Sequence, residues 1–236
     1  MGAVNYFRYV SSKNGSLVTL RLNKIDISVR KGTPDLHIAI SCLIKEEFKP
    51  LVKHLDKNFS GLIIDAGGYI GAAALALHRL YPFAQVITIE PSRENIEILR
   101  LNVAGHENIK VVYGALVGGD VKFVSLKNRG TGECGFTAVE NPLDCSGAEF
   151  LHTTPAFNLS SLGIDLSEIG ILKLDIEGSE YDLFKNDAVS LKGIPVIAVE
   201  LHDRITEGCT EAFMEFSEGR VIYKDRGEKY ISVKKA

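Results

Sequence analysis

The sequence predicts an α/β fold: a mostly parallel sheet with helices on both faces, an antiparallel hairpin at its C-terminal edge and an N-terminal cap. Three observations carry that expectation. From residue 61 onward, short apolar runs alternate with helix-period segments, the pattern of a parallel sheet covered on both faces. The last two β-rich runs are joined by a polar turn, and a hairpin is necessarily antiparallel. Residues 1–60 lack the alternation. The chain has 236 residues, 45% hydrophobic and 24% charged, which suits one well-packed core with peripheral additions.

Taken in order, residues 16–29 alternate apolar and polar positions as a half-buried hairpin does, and residues 35–55 read as helical turns. Together these make residues 1–60 a cap. In the sheet-forming part, residues 61–236, strands are expected at 61–64, 85–89 and 109–113, with helices at 70–80 and 95–103 between them. Residues 115–155 break the rhythm with several glycines and short β-like pieces such as 121–125, so a hairpin-rich insertion above the sheet is expected. The alternation resumes with a weak helix at 158–168, a strand at 171–176, a helix at 180–191 and a strand at 195–201. A helix at 210–216 and the hairpin 220–223 with 230–233 complete the pattern.

Lysine and arginine number 27 against 30 acids, a net charge of −3, and no basic block stands out, so a nucleic-acid partner has no electrostatic support. The longest apolar stretch, near residues 70–77, is far short of the roughly 18 residues that a membrane span needs. The N-terminus carries no apolar signal region and has Tyr6 where a myristoylation signal needs Ser or Thr, so the cytoplasm is the expected compartment. Cys42, Cys134, Cys145 and Cys209 show no Cys-x-x-Cys spacing and are read as buried or idle thiols.

In an open parallel sheet, ligands bind beyond the carboxyl ends of the strands, so the residues after each strand matter most. After the first comes Asp65-Ala66-Gly67-Gly68-Tyr69-Ile70-Gly71, whose glycines let backbone approach a ligand at a helix N-terminus. A dinucleotide fingerprint starting at Gly67 would need glycines where Tyr69 and Ala72 stand. What remains suits a cationic, phosphate-free ligand, because Asp65 offers charge where pyrophosphate would be repelled. The next strand ends in Glu90-Pro91, and a carboxylate there can take both hydroxyls of a ribose. Gly114 and Ala115 after the third strand leave room for a flat ring.

Four stretches carry a family resemblance: Gly32-Thr33-Pro34-Asp35 with Glu47-Phe48; residues 63–71; Leu172-Lys173-Leu174-Asp175-Ile176-Glu177-Gly178-Ser179-Glu180; and Val199-Glu200-Leu201-His202-Asp203-Arg204 leading to Gly208-Cys209. In these the chain resembles the S-adenosylmethionine-dependent methyltransferases of the FkbM type. The resemblance implies a class I methyltransferase fold, Rossmann-like, and methyl transfer to a hydroxyl of a sugar or secondary metabolite. It also implies that Asp35 or Glu47 contacts the amino group of the cofactor, although an aspartate that begins a helix reads equally as its cap. The chain departs from many relatives in carrying Cys134 where they have tryptophan, in a segment that would face the substrate.

Lys173 and Asp175 share one face of their strand, as do Glu200 and His202 of the next. A lysine inside a doubly covered sheet needs a carboxylate, so Lys173 is expected to pair with Glu200 or Asp175 and to fix the floor of the site. Asp175, Glu177, His202 and Asp203 then crowd two adjacent strand tips. His202 is the candidate base for the acceptor hydroxyl. The same cluster suits magnesium or manganese held by Asp175, His202 and Asp203, and an inert, hydrogen-bonded His202 is the plain structural alternative.

The expected partner is a small molecule or glycan, with a homodimer compatible with the sequence. Two rival readings stay open here: a nicotinamide-dependent oxidoreductase, against which Tyr69 argues, and a non-catalytic cofactor-binding protein of the same fold.

Overall fold

In the computed structural model, which describes residues 3–130, 132–140, 147–225 and 227–235, the chain opens with helix α1 (Ala3–Ser11). Cys145 lies outside the described residues. The expected hairpin follows as β1 (Leu17–Leu22) and β2 (Ile25–Arg30), with Leu17 opposite Arg30 and Leu22 opposite Ile25. Its two connecting residues, Asn23 and Lys24, both have positive φ (47° and 71°), the backbone a two-residue hairpin loop demands. Helix α2 (Asp35–Leu43) and a 3-10 turn (Lys49–Lys53) come next.

The parallel sheet begins with β3 (Leu62–Ala66), α3 (Ala72–Leu80), β4 (Gln85–Glu90), α4 (Arg93–Val103) and β5 (Ile109–Tyr113). The insertion is β6 (Ala115–Leu116), β7 (Phe123–Asn128), β8 (Phe136–Val139) and β9 (Glu149–Phe157), a four-stranded sheet of order β6-β9-β7-β8. The weak helix expected at 158–168 is two short 3-10 turns, Leu159–Leu162 and Leu166–Glu168. After β10 (Ile169–Leu174), the single helix expected at 180–191 is split at Asp187 into α5 (Glu180–Asn186) and α6 (Ala188–Lys192). Strand β11 (Val196–Glu200), helix α7 (Cys209–Phe216) and strands β12 (Val221–Lys224) and β13 (Lys229–Val233) follow.

The seven strands of the main sheet lie in the order β12-β13-β11-β10-β3-β4-β5. Only β13 is reversed: it pairs antiparallel with both β11 and β12, so the edge strand β12 runs with the parallel set. The reversed strand is therefore one place in from the edge rather than at it. From β3 the chain winds outward through β4 to β5, then returns to β10 and winds the other way through β11. The order reverses between β3 and β10, which puts the topological switch point, and its crevice, at their carboxyl ends.

The two faces of the sheet bury two apolar clusters, their residues alternating along the strands except at the register shift between Ile169 and Ile171. Leu62, Ile64, Leu172 and Leu174 pack with Leu183 and Phe213 from α5 and α7. Ile63 and Ile171 face the other way and pack with Leu20 and Ile27 of the hairpin, Leu43 of α2 and Leu75 of α3. The N-terminal hairpin thus shares a core with the sheet. Asn102 on α4 pins it there, donating to the carbonyls of Ser28 (3.0 Å) and Ile70 (2.8 Å) and accepting from the Ser28 N–H (2.7 Å). Among the described residues, no helix is long and apolar enough to cross a membrane.

Candidate active site

The crevice at the switch point is lined by the turn Gly67, Gly68 and Tyr69, by Glu90, Pro91 and Ala115, by Glu47 from the N-terminal region, and by Lys173, Asp175 and Glu200. The sequence named all of these. Asp35, Asp65, Gly71, His202 and Asp203, also named, do not reach its wall, and each has a physical reason.

Strands β3 and β10 are neighbours in register, with Lys173 directly opposite Asp65. Both point to the same face, both are buried, and the Lys173 Nζ stands 3.0 Å from the Asp65 carboxylate against 3.8 Å from Asp175. The Thr88 hydroxyl donates to the other Asp65 oxygen (2.9 Å). Asp65 is therefore spent inside the sheet and presents no charge to a ligand. Glu200, the other expected partner of Lys173, pairs instead with Lys229 on β13 (3.3 Å), which also reaches Glu47. Lys173 does form the floor of the site: it donates to the carbonyls of Gly67 (2.7 Å) and Ala66 (3.2 Å) and so fixes the turn. Burial opposes its charge, but Asp65 and Asp175 outweigh that and raise its pKa, so it stays charged.

The turn needs its glycines for close approach within the protein. Gly67 has φ +79°, and a Cβ there would lie 1.8 Å from the Asp175 carbonyl oxygen. Gly71 has φ +85° and is the N-cap of α3, where Leu99 and Val103 pack against it, so its role is to start the helix.

Glu90 sits 5% exposed at the tip of β4. It accepts from the Tyr69 N–H (2.7 Å), the Ser92 N–H (2.9 Å) and Asn95 Nδ2 (3.3 Å). Burial nonetheless pushes its carboxyl up to about 7. Asp35 neither caps α2 through its side chain nor faces the crevice. It takes two bonds of 2.9 Å from the Arg30 guanidinium, a third from the Arg30 N–H, and the Tyr69 hydroxyl proton. Burial opposes its charge, and these donors hold it below the usual carboxylate range. Asp35 therefore positions Tyr69.

At the β10 and β11 tips, His202 is 1% exposed, with Nδ1 2.9 Å from Glu180 Oε1 and Nε2 directed between Asp175 (3.7 Å) and Glu177 (3.8 Å). Burial opposes its protonation, but Glu180, Glu177 and Asp175 raise it to about 9. The ring is buried and is not among the residues lining the crevice, so the base expected from the sequence stands behind the wall rather than on it. Glu177, with φ +49°, does line the crevice, and burial pushes its carboxyl up to about 7. Asp203 points elsewhere: it accepts from the Thr210 N–H (3.2 Å) and hydroxyl and so caps the start of α7. Among the described residues, the group whose geometry could hold a metal is Asp175, Glu177 and His202, with Glu177 where Asp203 was expected.

Three contributors escaped the sequence reading. Asn95 donates to Glu90 and to the Glu133 carbonyl (2.9 Å) of the insertion while accepting from Arg30 (2.9 Å), joining three parts of the wall. Lys229 closes the far side. Glu180 accepts from the Ile176 and Gly178 N–H groups (2.9 and 2.8 Å) as well as meeting His202. Polar residues at buried positions of neighbouring strands were the available signal for Lys173 with Asp65, whereas the other contacts depend on loop paths. Cys134, Phe136 and Ala138 of the insertion also line the crevice, as the sequence suggested for the Cys134 segment.

Comparison with known proteins agrees with this architecture. The chain is similar to the methyltransferase FkbM from Methylobacillus flagellatus KT, with a TM-score of 0.50 and 17% identity over 74% of this chain and 43% of that one. It thus spans less than half the length of that protein. It is also similar to a precorrin-6y C5,15-methyltransferase from Geobacter metallireducens GS-15 (TM-score 0.46, 12% identity, 81% of this chain and 88% of that one). A third similarity is to Aeropyrum pernix fibrillarin in complex with natively bound S-adenosyl-L-methionine (TM-score 0.42, 12% identity, 96% of this chain and 86% of that one). No curated protein matches the sequence. The family model described as the methyltransferase FkbM domain matches residues 65–230, from the glycine turn to β13, which replaces the oxidoreductase alternative: the chain belongs to the FkbM methyltransferase family.

Proposed function

We propose that the protein transfers the methyl group of S-adenosylmethionine to a hydroxyl of a sugar or other small metabolite. One observation carries the reading: a crevice at the switch point has a glycine turn and a strand-tip Glu90 on one side and the Asp175 and Glu177 carboxylates on the other. The first side fits the cofactor. Glu90 can receive the ribose hydroxyls, and Gly114 with Ala115 leaves space for the adenine. Lys173 and Lys229, the lysines on the wall, are already engaged with carboxylates, which suits a ligand without phosphate. When bound, S-adenosylmethionine supplies a methyl group on a positively charged sulfur.

The chain's own task is then to hold and orient. Lys173 and Glu90 fix the turn through the Gly67 carbonyl and the Tyr69 N–H. Asp175 and Glu177 meet the acceptor hydroxyl, and a carboxylate there receives its proton. Most of the rate comes from holding the reacting atoms about 3 Å apart, and proton removal adds roughly 10²-fold or more. The insertion supplies the outer wall and hence the acceptor's shape.

Calorimetry with S-adenosylmethionine and its demethylated product, followed by methyl transfer to a panel of hydroxylated acceptors, tests this. Micromolar binding and transfer to a hydroxyl support it. Absence of binding overturns it, and binding without transfer to any acceptor returns the protein to a non-catalytic binding role.

A further inference from the structure

The His202 imidazole poses a problem that its surroundings within the protein leave open. Glu180 is held by two backbone N–H donors and acts as an acceptor, so the His202 Nδ1 facing it at 2.9 Å carries a proton. In the neutral ring Nε2 is then a bare lone pair. That nitrogen, on a side chain 1% exposed, makes no hydrogen bond and is aimed between two carboxylates at 3.7 and 3.8 Å. Three electron-rich atoms facing one point repel unless something positive lies among them.

A proton on Nε2 is one solution, but its geometry is poor. A charge-assisted N–H···O bond runs about 2.7–2.9 Å, well inside the observed gaps. A metal ion fits those gaps better. Donors at about 2.1 Å from one ion stand about 3.0 Å apart when adjacent and about 4.2 Å apart when opposite. The observed 3.7 and 3.8 Å fall between, and the three ligand atoms lie within 4.8 Å of one another. Neighbouring cations do not fill the place: Lys173 is 3.8 Å from Asp175 but 3.0 Å from Asp65, and Arg204 is 3.7 Å from Glu177 but 2.7 Å from Glu228.

We propose that Asp175, Glu177 and His202 hold a divalent metal ion at the crevice wall, with Glu180 as the group that orients the imidazole. A carboxylate behind the distal ring nitrogen is the usual support of a metal-bound histidine, since it fixes tautomer and ring angle. Two carboxylates with one imidazole suit a first-row ion such as manganese better than magnesium. Asp175 and Glu177 both line the crevice, so an acceptor oxygen would complete the coordination, and its hydroxyl would lose its proton more readily. Asp175 and Glu177 would then meet the acceptor through the ion. That role rests on the methyl-transfer reading, but the site itself does not.

Manganese itself is the probe. Titrating Mn2+ into the full chain and following the electron paramagnetic resonance signal of the free ion should show one equivalent lost per chain. Asp175→Asn and Glu177→Gln should each weaken that binding tenfold or more. Glu180→Gln, which touches no ion, should weaken it by roughly 10- to 100-fold as supporting partners do. No loss of free signal, or a loss equal in the parent and in both ligand variants, overturns the proposal. Circular dichroism of each variant separates weak binding from failure to fold. S-adenosylmethionine affinity, measured in metal-free buffer, reports on the methyl-transfer reading separately: cofactor binding without manganese binding removes this inference alone, and the converse removes the other.

Discussion

On the β3–β4 side of the crevice the buried carboxylates have close partners within the protein: Asp65 in an ion pair with Lys173 and a hydrogen bond from Thr88, and Glu90 with two N–H groups and Asn95. On the β10–β11 side His202 keeps one nitrogen without a hydrogen bond, and Asp175 and Glu177 stand near it at distances too long for one. Both sides are built from charged residues on strand tips, yet one is finished and the other is open. A satisfied buried network contributes to stability and rigidity, while an open cluster is where an outside group completes the structure. The β3–β4 side should therefore show its losses in folding. The opposite side should show them in turnover.

The largest expected effect tests the finished side. Lys173→Met leaves Asp65 buried without its cation and should cost about 3–5 kcal/mol in urea denaturation. Adding Asp65→Asn should recover part of it. A loss below about 1 kcal/mol would erase the contrast between the two sides. Next, Glu177→Gln should lower turnover by roughly 10²-fold or more while leaving stability and S-adenosylmethionine affinity nearly unchanged, read by steady-state kinetics beside calorimetry. If stability fell instead, the open side would be structural too.

Glu90 sharpens the comparison through pH. Its carboxyl is raised to about 7 in the fold against about 4.3 in the unfolded chain, so between these values the folded state holds the extra proton. Its contribution to stability therefore falls as pH rises from about 4.3 to about 7 and is level above, a change on the order of 3 kcal/mol. Glu90→Gln should flatten that slope in pH-dependent melting. The same change should weaken S-adenosylmethionine binding by about tenfold at pH 8, because an ionised acceptor for hydroxyls is lost. The smallest effect is Asp203→Ala, which removes a cap from α7 and should cost about 1 kcal/mol or less, with cofactor affinity and manganese binding untouched. A large loss of manganese binding there would reinstate Asp203 as a ligand.

Much of the parallel sheet was legible in the sequence because its strands are continuous apolar runs with turns between them, and buried strands need little else. The residues at the tips of β3, β4, β10 and β11 were legible for the same reason, since a strand's end marks where a ligand can sit. What each tip residue touches was not. Lys173 opposes Asp65 because β10 lies beside β3, an adjacency fixed by the winding of the whole sheet rather than by local spacing. From the sequence His202 reads as a candidate base, a metal ligand or an inert hydrogen-bonded group, and only the path of the loop after β11 shows it buried against Glu180. Helix α1 and the break at Asp187 carry too weak a local signal to read in advance.

The placement of β13 between β11 and β12 has a consequence for synthesis. Lys229, at the start of β13, supplies the cation that joins Glu47 to Glu200 across the crevice. On the ribosome, a growing polypeptide that has emerged only through β11 holds both carboxylates without the ammonium between them. The crevice lacks that side until residue 229 has left the exit tunnel, so its wall is completed only once β13 has been made.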